Sequence, residues 1–157
     1  IARGEKMDWI LQKATELGVA AFTPMQSERT EVKLDQERSD KRLAHWQGVI
    51  RSACEQSGRA IIPALHSPVS INHLEPGGVR QGFYLQPGTG QRIADLSPAL
   101  SSEMALAIGP EGGFSERDMR QLLSAGFKGL SLGPRILRTE TAGIAAIAAM
   151  QSRFGDF

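Results

Sequence analysis

Cysteine is almost missing from this sequence. Cys54 stands alone among 157 residues, which excludes an internal disulfide and suits a reducing cytoplasm. Long apolar runs are missing too. The stretches around Ile61 and Ala145 are too short or too interrupted to span a bilayer, and no signal-peptide pattern opens the chain. The expectation is a soluble, cytoplasmic protein with no membrane partner. An excess of one charge is also absent: 18 basic residues face 17 acidic ones, for a formal net charge of +1. Broad phosphate attraction is thereby excluded, and any nucleic-acid contact must come from local arginine clusters or from a segment outside this chain. No initiator methionine precedes Ile1, and the chain reads as a fragment lacking an N-terminal portion.

Several chemistries are excluded in the same way. His45, His66 and His73 have no metal-ligand spacing and Cys54 has no partner cysteine, so no metal site is expected. No GxSxG elbow or Ser–His–Asp arrangement occurs.

What is there fits one compact domain, 1–157, with 41% hydrophobic residues for a core and glycines and prolines spread as turn markers. Met7, Ile10, Leu11, Ala14 and Leu17 recur at helical spacing, with Gly18 placed as a C-terminal glycine. Val19 to Phe22 reads as a strand, and Gln26 to Lys41 as a solvated loop. A second helix carries Leu43, Trp46, Ile50 and Ala53 on one face and ends near Gly58. Ala60 to Leu65 is a strand, Ile71 to Leu74 a short helical turn, Gly77-Gly78 a turn, and Gly82 to Leu85 a strand. Met104 to Ile108 is an apolar strand, after which Ser115 caps a helix to about Ala125, with Asp118 reciprocating. Gly129 to Leu132 is the last strand. Thr139 is expected to cap a final helix, Glu140 to Arg153, built from Ala142, Gly143, Ala145, Ala146, Ala148 and Ala149. Strands alternating with helices predict an α/β fold with a mostly parallel sheet flanked by helices.

Two segments could carry chemistry. Gly109-Pro110-Glu111-Gly112-Gly113-Phe114 follows a strand and opens a helix, where backbone amides can meet a ligand beyond the sheet. It lacks the Walker lysine and the three-glycine dinucleotide spacing, and a plain turn reads equally well. Leu132 to Ala142 crowds Arg135, Arg138, Thr139, Glu140 and Thr141 at the start of the final helix. Glu140 suits the positive end of that helix, whereas Arg135 and Arg138 oppose it and call for an anionic partner. Ser27, Glu28, Arg29, Arg51, Glu55, Gln56 and Arg59 form a third set, which composition alone does not raise above a solvated surface.

Together, Gly109 to Phe114 and Leu132 to Ala142 resemble the paired signature of the RsmE-type ribosomal RNA uridine methyltransferases of the SPOUT superfamily. Lys13 to Val19, Glu28-Arg29, and Glu55 to Arg59 with Pro63 resemble the same family's earlier segments, in order along nearly the whole chain. The resemblance implies a SPOUT-type α/β domain with a C-terminal trefoil knot, one of the rare exceptions to unknotted topology. It implies a homodimer acting on ribosomal RNA of the small subunit, and an N-terminal PUA-like RNA-binding barrel that is absent here. S-adenosyl-L-methionine (AdoMet) would be the cofactor, held by three loops: Leu85 and Gln86; Ile108, Gly109, Glu111, Gly112 and Gly113; and Leu132, Gly133, Ile136 and Leu137, with Thr141. Gly112 is expected to need positive φ.

The implied reaction is methylation of N3 of a uridine. Loss of the N3 proton spreads charge onto the ring carbonyl oxygens, which a cation would stabilise. Arg138 is the first candidate and Arg29, from either subunit, the second, with Glu140 as candidate proton acceptor. Alternatives are a SPOUT methyltransferase for another RNA site, a non-catalytic knotted RNA-binding or ribosome-assembly protein, and a phosphate-binding nucleotide enzyme. The missing Walker lysine speaks against the last.

Overall fold

The computed structural model describes residues 1–30, 36–77, 81–88, 91–97 and 103–157. Helix α1 spans Glu5–Glu16 and buries Met7, Leu11 and Ala14 on one face. Gly18 then takes φ 87°, the left-handed conformation its place after the helix requires. Arg59 closes the end of this helix, its Nη1 donating to the carbonyls of Thr15 at 2.8 Å and Val19 at 2.9 Å. That structural tie removes Arg59 from the third sequence set.

Strands β1 (Ala21–Phe22) and β2 (Met25–Gln26) follow. Helix α2 covers Gln36–Ser57, so it begins inside the stretch expected as loop; residues 31–35 of that stretch lie outside the described residues. Trp46, Ile50 and Ala53 are buried as their spacing predicts. Strand β3 is Ala64–Leu65, shorter than expected, and β4 is Val69–Ser70. The turn at Ile71–His73 is a 3-10 turn whose start is held by Ser70 Oγ accepting from the Asn72 amide at 3.3 Å. Gly78 of the expected Gly77-Gly78 turn lies outside the described residues.

The remaining elements are β5 (Gly82–Leu85), a 3-10 turn (Ile93–Asp95), β6 (Ala105–Ala107), α3 (Glu116–Ser124), β7 (Phe127–Leu130) and α4 (Thr139–Phe154). Strand β7 thus starts two residues earlier than expected. Thr139 is not the N-cap of α4: Arg138 holds that position with no side-chain cap, and its carbonyl accepts from the Ala142 amide at 2.8 Å.

Every strand pair among the described residues is parallel. β1 pairs with β3, β2 with β4, and β5 lies between β6 and β7. Successive side chains of β5 face opposite sides. Tyr84 packs with Leu122, Ala125 and Phe127 beneath α3, and Phe83 packs with Leu96, Leu130 and Met150 beneath α4. A third cluster joins α1 to α2 through Leu11, Trp46 and Ile50. The small residues of α4 have a visible purpose at Gly143, where a Cβ would already lie 3.4 Å from Ile108 Cδ1 at the end of β6. Among the described residues, no helix is long and apolar enough to cross a membrane, and no three His, Cys, Asp or Glu residues are grouped so that they could hold a metal ion.

Candidate functional site

Because β5, β6 and β7 are parallel, their carboxyl ends and following loops lie at one edge of the sheet, where open α/β sheets bind ligands. A cavity of about 420 Å³ opens there. The loop after β5 contributes Leu85, Gln86 and Pro87, and the loop after β6 contributes Ile108 through Gly113. Beyond β7, Leu132, Gly133, Ile136 and Leu137 complete the wall, with Arg135, Arg138, Thr139 and Glu140 at the start of α4. The three loops therefore converge on one space. Thr141 is exposed and outside the lining.

Much of this wall is bare backbone. A Cβ on Gly109 would fall 3.2 Å from the Phe114 amide nitrogen and 3.3 Å from Gly113, so a side chain there would push the loop's own backbone apart by a few tenths of an ångström. Positive φ occurs at Gly113 (67°) and Gly133 (106°). It does not occur at Gly112, which corrects the expectation for that residue; a Cβ on Gly112 would instead meet Arg29 at 3.4 Å.

The loop after β6 hands directly into α3 through a capping box. Asp118 Nα donates to Ser115 Oγ at 3.1 Å, and Asp118 Oδ2 accepts from the Ser115 amide at 2.9 Å. Its other oxygen, Oδ1, accepts from the Glu28 amide at 3.1 Å. Asp118, 1% exposed, thus fastens the Glu28-Arg29 loop beside the site. From there Arg29 Nη1 donates to the Gly112 carbonyl at 2.8 Å. Arg29 is not a lining residue but a brace on the loop that lines the cavity.

Arg138 lines the cavity, is exposed, and has no hydrogen bond or ion pair from its side chain among the described residues. Glu140 lies within the first turn of α4, and Lys6 of α1 reaches in opposite it. Lys6 Nζ stands 3.4 Å from Glu111 Oε1 and 3.7 Å from Glu140 Oε2. Burial opposes the charge on Glu111, but hydrogen bonds from its own amide and that of Arg3, with Lys6 beside it, outweigh this and hold the carboxyl below its usual value. Lys6 was not legible as a site residue, since only packing brings α1 to the cavity. Ser27 is occupied locally, its Oγ 2.9 Å from Thr30 Oγ1, while Arg51, Glu55 and Gln56 are exposed and outside the lining.

The family model of the RNA methyltransferase domain matches residues 1–151. A relative named ribosomal RNA small subunit methyltransferase E, from Buchnera aphidicola subsp. Schizaphis graminum, is 37% identical over 99% of this chain and 64% of its own length. Its namesake from Bacillus subtilis is 35% identical over 96% of this chain and 62% of its own length. The chain therefore spans a little under two thirds of these relatives. A Legionella pneumophila structure solved with the bound cofactor SAM superposes with TM-score 0.91 at 41% identity, covering 100% of this chain and 65% of that one. The Neisseria gonorrhoeae ribosomal RNA small subunit methyltransferase E, bound to S-adenosyl methionine, gives TM-score 0.87 at 40% identity with the same coverage. A parallel sheet with glycine loops at its carboxyl edge, a family model matching almost from end to end, and relatives of one name lead to one conclusion: the chain belongs to the RNA methyltransferase domain family.

Proposed function

We propose that the chain is a single methyltransferase domain, 1–157, that holds AdoMet in the cavity at the sheet edge and methylates N3 of a uridine in small-subunit (16S) ribosomal RNA. The observation that carries this reading is the convergence of three loops on one cavity, in a chain that superposes closely on two structures solved with this cofactor. The residues fit the group. About 420 Å³ lies within the usual range for a small-molecule site, and Gly109, Gly113 and Gly133 let backbone amides and carbonyls form its wall. Apolar Leu85, Ile108 and Leu137 suit the flat face of a nucleoside.

When bound, AdoMet supplies an electrophilic methyl group on a sulfonium. The chain contributes position and charge. Arg138, free of partners within the described chain and opposed to the dipole of the helix it caps, is placed to hold the ring oxygens of a deprotonated uracil. Arg29 acts chiefly by fixing Gly112, with its charge as a second cation near the site. Glu140 remains a candidate to receive the N3 proton.

The knotted path belongs to this reading. Its support is the pairing of the segment after β5 with that after β7: Arg92 bridges Ser131, and the Ser131 amide donates to the Gln91 carbonyl at 2.8 Å. So does a homodimer, for which exposed Thr141, Ala145 and Ser152 leave room for close approach along α4. Calorimetric titration with AdoMet, transfer of labelled methyl to 16S ribosomal RNA with mass mapping of the modified nucleoside, and sedimentation test the three parts. Absence of AdoMet binding, or methyl transfer to another base atom, would refute the central reading.

A further inference from the structure

Lys6, Arg135 and Arg138 share the lining of the cavity with Glu111 and Glu140, so cations outnumber carboxylates there by three to two. Lys6 accounts for both carboxylates, standing 3.4 Å from Glu111 and 3.7 Å from Glu140. The two arginines are left over. Neither side chain makes a hydrogen bond or ion pair among the described residues. Both are exposed, and Ile136 between them is 85% exposed, so this stretch stands at the open mouth of the cavity rather than in its floor. Three residues of chain hold their Cα atoms at most about 10 Å apart. Two like charges at that spacing repel, and Arg138 also opposes the positive end of α4. No group among the described residues compensates them. A ligand with negative charge at two points would.

We propose that Arg135 holds a backbone phosphate beside the target uridine while Arg138 holds the uracil ring, so that the pair grips one nucleotide at its two ends. This rests on the reading of the chain as an RNA uridine methyltransferase and deepens it. A phosphate in RNA is charged at every stage of the reaction, whereas the uracil ring is charged only once N3 has lost its proton. The two arginines therefore contribute differently. Arg135 binds ground state and transition state alike and lowers the RNA concentration needed. Arg138 acts as the ring becomes anionic and raises the rate. The planar fork of a guanidinium matches phosphate oxygens, which suits Arg135 to the task. The carboxylate of AdoMet is the rival anion, and the exposed position of Arg135 at the mouth favours the RNA.

Single-turnover methylation of 16S ribosomal RNA by the AdoMet-loaded chain, run across RNA and salt concentrations, gives the half-saturating RNA concentration, its salt slope and the limiting rate. Arg135→Gln is expected to raise the half-saturating concentration about tenfold, the lower end for a hydrogen bond to a charged group, and more than it lowers the limiting rate. The slope of log affinity against log salt should fall by about 0.7, the share of one single-stranded phosphate contact. Arg135→Lys keeps the charge without the fork and should restore the slope with part of the affinity. In a short RNA, a neutral methylphosphonate replaces the phosphate on either side of the target uridine, one at a time. One of the two should weaken binding by the unmodified chain and leave Arg135→Gln indifferent. An unmoved salt slope in Arg135→Gln, or equal sensitivity of both proteins to each neutral linkage, overturns the proposal. So does a loss of AdoMet affinity in Arg135→Gln, which would assign the guanidinium to the cofactor's carboxylate. An unmodified chain that transfers no methyl group to the RNA overturns the uridine reading itself, whereas one that does so and is matched by Arg135→Gln overturns the phosphate contact alone.

Discussion

Truncating Asp118 to alanine tests whether one buried carboxylate organises the site from behind. The side chain is 1% exposed and accepts from two amides, Ser115 at 2.9 Å and Glu28 at 3.1 Å. Loss of the carboxylate's charge at the positive end of α3 costs about 1 kcal/mol. The Ser115 amide, at a residue 6% exposed, is left without an acceptor, at about 1–2 kcal/mol more. Glu28 is exposed, so water replaces the second bond at a cost below about 1 kcal/mol. The expected destabilisation is about 3 kcal/mol, or about 6–12 °C in Tm for a domain of this size. Ser115→Ala removes only the reciprocal bond at 3.1 Å and should cost about 1 kcal/mol. Urea titration monitored by circular dichroism measures both, with an unchanged m-value required for the comparison. Because Glu28 precedes Arg29, Asp118→Ala should also weaken AdoMet binding severalfold by loosening the Arg29 brace on Gly112. A loss below 1 kcal/mol with unaltered cofactor affinity would refute the reasoning.

Gly109→Ala should weaken AdoMet binding, since its Cβ meets backbone at 3.2–3.3 Å, whereas Gly112→Ala, which meets only the flexible Arg29 side chain at 3.4–3.5 Å, should be tolerated. Parallel titrations check the pair. Arg138→Ala should slow single-turnover methylation on the order of 100-fold while AdoMet affinity changes little; lost cofactor binding would move Arg138 into the cofactor wall. Glu111 has a folded pKa below its unfolded one, so its contribution to stability is present above the unfolded pKa and is lost as pH falls through the folded one. Glu111→Gln should therefore flatten the acid limb of a stability-against-pH profile, slightly because the side chain is nearly a third exposed.

Where the structure is local, short-range residue patterns specify it. Ser115 and Asp118 sit three residues apart and cap α3 as their types dictate, and Gly18 ends α1 in the left-handed region. Strand β5 was legible because its apolar run ends at Pro87-Gly88. What could not be read depends on distant partners. The two-residue strands β2 and β4 exist only by pairing with each other, with Met25 opposite Val69. The start of α2 carries no apolar stripe, since Arg38, Asp40 and Lys41 are exposed, so periodicity had nothing to register there. Gly112 and Gly113 look alike in sequence, and only the path of the loop decides that positive φ falls on the second. Residues drawn from the three loops by resemblance come together at one cavity, except exposed Thr141. Lys6 reaches that cavity by tertiary packing alone.

That packing has an identifiable register. Helices α1 and α4 lie side by side in the same direction, in contact at both ends. At the far end Gln151 Nε2 donates to the Leu17 carbonyl at 2.7 Å, and a Cβ on either Gly18 or Gly155 would strike the Gln151 amide group. At the near end Lys6 meets Glu140. Eleven positions separate Lys6 from Leu17, and eleven separate Glu140 from Gln151. Two helices rising by the same 1.5 Å per residue over about 16 Å hold both contacts without bending either. A side chain at Gly18 would displace the Gln151 amide from the Leu17 carbonyl and break the contact at the far end. The glycines at the far end thus leave room for the Gln151 contact, which together with the Lys6–Glu140 pair ties α1 to α4 beside the site.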